Sequence, residues 1–127
     1  MSAKTIKITY WILTALLAMA MAGDGFGGVT RQQAGIDVLK HLGYPIYFMV
    51  IMGTAKLLGV IAILQNKYKA VKEWAFAGFS FTFFGAIASR AFVGDSTGEL
   101  IPPIVMLAFL FTTYYFWKKY NQLKSTE

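Results

Sequence analysis

Residues 45–64 read PIYFMVIMGTAKLLGVIAIL, twenty positions with one charged side chain, Lys56. At ~1.5 Å of helical rise per residue the stretch reaches about 30 Å, the thickness of a bilayer's hydrocarbon core. Pro45 suits a first helical position, where its missing N–H costs nothing. Three more apolar stretches surround it, at about 8–28, 73–93 and 101–117. The last is the shortest, so its aromatic ends are expected to reach into the headgroups. The pattern predicts an all-α, four-transmembrane-helix bundle in one membrane domain over residues 1–127. Lys4, Lys7, Ala18 and Ala22 would also fit a signal peptide. Tyr10 and Trp11 at an interfacial depth, and the three later spans, favour a retained membrane helix.

Composition agrees. The chain is 57% hydrophobic and 14% charged, with mean hydropathy +0.54; ordinary soluble domains are about a quarter charged. A water-soluble domain of 127 residues lacks the interior to hide that much apolar surface. There is no cysteine, which excludes disulfides, thiolate metal sites and cysteine nucleophiles. A single histidine, His41, excludes a bis-histidine haem within one chain. The net charge of +6 resides in lysines at span ends and suits anionic headgroups. No nucleic-acid partner is expected, since no basic and aromatic stripe is present.

The connections differ in character. In residues 24–44, Thr30 could cap a short helix with Ile36, Leu39 and Leu42 on one face and Gly43 at its end. Such a helix would lie in the bilayer interface, between spans one and two. Residues 65–72 form a basic turn and residues 94–100 an acidic one. Four crossings put Lys4, Lys7, Lys67, Lys69, Lys72, Lys118, Lys119 and Lys124 on one side, against Arg31, Lys40 and Arg90 on the other. Both termini of this multi-pass cell-membrane protein are therefore expected in the cytoplasm. Tyr10, Trp11, Tyr68, Trp74, Tyr114, Tyr115, Trp117 and Tyr120 would mark that interface, and Tyr44 and Tyr47 the other.

Helices in lipid associate through small residues rather than through hydrophobic drive. Gly78, Thr82, Gly85 and Ser89 return to one side of the third span, and Gly53, Lys56 and Gly59 share a face of the second. These faces are expected to meet at the bundle centre, with Phe79, Phe81, Phe83 and Phe84 surrounding the third helix toward lipid or neighbouring helices. Lys56 is nine residues from Tyr47 and ten from Asn66, about 14 Å from either boundary. Its stem cannot snorkel that far, so it needs a partner inside the bundle. Asp24, by the same helical rise, falls within reach. The expected polar cluster is Asp24, Lys56 and Thr82, with Ser89 and Arg90 nearer the mouth. Arg90 is expected beside Asp95 and Glu99. Glu73 would complement a helix N-terminus. His41 and Asp37, four residues apart, could hold a metal only weakly; no metal site is expected.

Four segments carry a resemblance: KITYW at 7–11, LGYPIY at 42–47, MGTAKLLGV at 52–60 and KEWAFAGFSFTFFGAIAS at 72–89. In combination they resemble the DoxX-like family of small integral membrane proteins, over about residues 5–117. The resemblance implies a four-helix membrane bundle. It does not choose a role, because the group includes a quinone-linked oxidation subunit and proteins of receptor assembly. Three functions are consistent with the residues: a scaffold or assembly protein binding itself or another membrane protein, a quinone-linked oxidoreductase subunit, and a small-solute transporter. No catalytic set is evident, and no cofactor is expected unless a quinone is bound.

Overall fold

The computed structural model describes residues 2–125, with side chains through residue 123. Lys124, counted above with the basic tail, has its side chain outside the described ones. Among the described residues five helices follow one another: α1 (Ala3–Val29), α2 (Gln33–Leu42), α3 (Tyr47–Leu64), α4 (Lys69–Phe92) and α5 (Thr97–Ser125). All but α2 are long and apolar enough to cross a membrane. The shortest, α3, has 18 residues and covers about 27 Å.

Local chemistry sets the ends. Ser2 caps α1, its Oγ accepting from the Thr5 amide at 3.2 Å. Gly43 ends α2 with φ +85°, and Gly94 follows α4 with φ +82°. In both turns the next amide reaches back five residues: Tyr44 N–H to the Leu39 carbonyl and Asp95 N–H to the Arg90 carbonyl, each 2.9 Å. This Schellman closure needs a left-handed residue, which glycine adopts at little cost. Thr30 caps the end of α1 rather than the start of α2, whose N-cap is Gln32. α5 begins a turn earlier than the expected 101, at Thr97. Pro102 and Pro103 lie early in the helix, where the two missing N–H groups free only carbonyls near its exposed start.

The four long helices form a ring. α1 packs on α3 and α5, and α4 packs on the same two, so α1 and α4 stand diagonally opposite. Every neighbouring pair is antiparallel, which brings both chain ends to one end of the bundle. There Tyr10 and Tyr120 stack with ring centroids 4.6 Å apart. The core comprises Tyr10, Leu17, Ala18 and Met21 of α1, Val60 and Ile63 of α3, Phe76, Phe79 and Phe83 of α4, and Leu110 and Trp117 of α5. It fills the terminal end and the middle. Outward from it point Met19, Leu58, Ile61, Phe81 and Phe111, all exposed. Hydrocarbon accepts such a surface; water does not.

The small-residue stripe of α4 requires a correction. Gly78 and Gly85 are exposed, with nothing within 4 Å of where a Cβ would stand. Phe79 and Phe83, expected toward lipid or neighbouring helices, are in the core with Phe76. Rings are needed to fill the wide centre among four helices. Small residues matter where two backbones touch, and that seam joins α1 to α3. A Cβ on Gly53 would lie 2.6 Å from the Gly25 carbonyl oxygen, and one on Gly28 would lie 2.8 Å from the Met49 carbonyl oxygen. Gly59 instead receives the Phe79 ring, whose tip would stand 2.5 Å from an added Cβ.

Candidate functional site

The glycine seam leaves space beside it. At the end opposite the termini, residues of α1, α2, α3 and α4 line an open groove of about 680 Å³. Its walls are mainly apolar or glycine, including Val38, Leu39, Met49, Met52 and Phe81. Such dimensions are within the usual range for small-molecule sites. Lys56 of α3 and Asp24 of α1 line it and form an ion pair, Lys56 Nζ donating to Asp24 Oδ2. The Lys56 side chain is 18% exposed and that of Asp24 57%.

Of the other expected cluster members, Thr82 and Ser89 line the same groove and Arg90 does not. Thr82 lines the groove, but its hydroxyl donates to the Gly78 carbonyl of its own helix at 2.9 Å. Ser89 also lines it and bonds the hydroxyl of Tyr44, which the sequence reading treated as an interface marker. Arg90 lies apart from the groove wall. Its Nη1 donates to Asp95 Oδ2 and Glu99 Oε2, each at 3.1 Å.

His41 completes this network, its Nε2 lying 2.6 Å from Asp95 Oδ1. It does not pair with Asp37, which accepts from Gln33. The hydrogen bond from His41, and secondarily the Arg90 guanidinium, hold the Asp95 carboxyl below the usual carboxylate range, against an opposing effect of burial. His41, Asp95 and Glu99 offer ligand atoms within 4.8 Å of one another. Arg90 already binds both carboxylates, so a cation there would have to displace a guanidinium. The network ties α2 to the turn between α4 and α5. With Tyr44 and Ser89, it holds α2 over the groove.

A second cation was missed by sequence reasoning. Lys72, counted with the basic turn, is fully buried. Its Nζ donates to the Tyr10 hydroxyl and, at 2.8 Å, to Asn66 Oδ1. It lies 4.8 Å from the Tyr10 ring centroid and 5.2 Å from that of Trp117. Such cation–π contacts are worth about 2 kcal/mol or more when desolvated. Tyr10 and Trp117, expected in an interfacial belt, are at 0% and 1% exposure; the outward aromatics at this end are Trp11, Tyr68, Trp74 and Tyr115. Glu73 is not at a helix start, because α4 begins at Lys69. It pairs with Lys118 and accepts from Tyr114 at 3.0 Å. A lysine flanked by aromatics at a span boundary is the one sequence signal for this cage, and snorkelling lysines give the same signal.

A ring of four apolar spans with an outward hydrophobic surface defines a multi-pass membrane protein built as a helix bundle. The sequence profile of the DoxX-like family matches residues 12–113, and the chain belongs to that family. No curated protein and no solved structure shows significant similarity to it.

Proposed function

We propose that the chain is a membrane-embedded binding protein whose groove takes up an amphiphilic small molecule, with the Asp24–Lys56 pair recognising its polar head. The observation that carries this reading is an ion pair set in the wall of a mainly apolar groove, with the carboxylate more than half exposed. Exposing a charged pair to hydrocarbon is costly. A bound head group would lower that cost by satisfying the remaining donors and acceptors. Both termini are proposed to face the cytoplasm, from the lysine excess at that end.

Photolabelling in lipid nanodiscs tests the reading, using a diazirine-tagged monoacylglycerol as probe. Labels are expected on α1, α3 and α4 residues of the groove, with about tenfold less labelling in Lys56→Met, as for a loss of ~1.4 kcal/mol. Even labelling over the whole lipid-facing surface, unchanged in the variant, would overturn it.

A second reading, docking of another membrane protein or a second copy, is favoured by one feature. Gly78 and Gly85 are open on an α4 surface beside the exposed Trp74 and Phe81, a combination that lets a foreign helix approach closely. Cross-linking through that surface at native expression levels would support it.

A further inference from the structure

Lys56 lines a second groove as well. About 330 Å³ in volume, it runs between α3 and α4 towards the terminal end, with walls that include Ala55, Gly59, Ala62, Trp74 and Gly78. Met52, Lys56 and Thr82 belong to both grooves, so the two meet at the ion pair. Apart from Lys56 and Thr82, the second groove is walled by apolar residues and glycines. It lies on the lipid-facing side, between two helices that each have an exposed apolar surface.

We infer that the ligand is an uncharged long-chain molecule whose head both donates and accepts hydrogen bonds, seated at Asp24–Lys56 with its chain along the α3–α4 groove. This rests on the binding reading above and specifies its ligand. The head follows from the charges. An ammonium has three donors, and one is engaged by Asp24. A carboxylate has a second oxygen, and Asp24 is open enough to use it. A hydroxyl head can accept from Lys56 and donate to Asp24 at once. A carboxylate or ammonium head must shed water on entering an apolar groove, and a pair of zero net charge gives little in return. A head with acceptors alone, such as a quinone carbonyl, leaves the Asp24 oxygen without a donor. The chain follows from continuity: the apolar groove that starts at Lys56 opens sideways, where a lipid-dissolved molecule arrives.

The test is a binding series in nanodiscs, read by thermal stabilisation at equal mole fraction of probe. Glycerol monopalmitate is expected to bind about tenfold tighter than palmitic acid or hexadecylamine. It is also expected to bind about tenfold tighter than glycerol monobutyrate, whose chain is too short to fill the second groove. Gly78→Leu, whose Cβ meets no atom within 4 Å and which adds bulk at the wall of the second groove, should bring the long-chain probe down to the short one. Equal or tighter binding of the acid or the amine would overturn the head assignment. Chain-length independence in the parent protein would overturn the chain assignment, whatever the variant does. If no probe binds, the binding reading itself fails, and labelling at an α4 contact with a second copy would replace it.

Discussion

At the end that carries the termini, Tyr10, Phe76, Phe79 and Trp117 close the space among the helices, and Lys72 is sealed among them. At the other end α1 and α3 touch through bare backbone at Gly25, Gly28 and Gly53, and the groove opens beneath α2. Each end holds a lysine, and the two are solvated in different ways. Lys72 donates to a hydroxyl and an amide oxygen and lies against two ring faces in the packed core. Lys56 has one carboxylate, which is itself exposed, and lies in the wall of an open space. A cation fully buried among core side chains is structural. One facing a groove with spare hydrogens is placed to bind.

The largest effect should come from opening the sealed end. Trp117→Ala removes the ring that covers Lys72 and stacks on Phe76 at 5.5 Å, and is expected to cost about 3–5 kcal/mol in detergent unfolding. A loss well under 1 kcal/mol would mean the cage is not a packed core.

The glycines sharpen the contrast at the second level. Gly53→Ala forces a methyl into the Gly25 backbone and should destabilise by about 1–3 kcal/mol. Gly85→Ala meets nothing and should be neutral or stabilising by up to about 1 kcal/mol, the helix-propensity gain. Equal losses at both would restore the discarded α4 stripe.

The smallest effect concerns the tie over the groove. Asp95 has a folded pKa below its ordinary value of 3.8, so its contribution is present above that value and lost as pH falls through the lower, folded one. Amide exchange in α2, corrected for intrinsic rates, should stay protected from pH 7 to pH 5 and rise only in stronger acid. Asp95→Asn should raise it at neutral pH. An unchanged α2 in that variant would remove the tie.

Much of this fold is legible in the chain, because bilayer thickness and glycine stereochemistry act locally. The stretch from Pro45 to Leu64 is the right length for a membrane, and Gly43 alone specifies where α2 stops. The Asp24–Lys56 distance is also legible, since helical rise converts sequence position into depth. Which face of α4 points inward is not, because Gly78 and Gly85 recur on one side of the helix as regularly as Phe76, Phe79 and Phe83 do on another. The Lys72 cage is less legible still: its walls come from α1, the α3–α4 turn and α5, and only the closed ring of helices brings them together. His41 with Asp95 joins residues 54 apart for the same reason.

Thermal unfolding of Lys56→Met and Lys72→Met, each with and without glycerol monopalmitate, separates the two lysines most directly. A ligand that binds only the folded state raises its stability by RT ln(1 + [L]/Kd). Lys72→Met should melt well below the parent, by about 1–3 kcal/mol for its orphaned partners, yet keep the ligand-induced rise. Lys56→Met should melt near the parent and lose that rise. The opposite pattern, with Lys56 carrying stability and Lys72 carrying the ligand response, would contradict the assignment of binding to the groove.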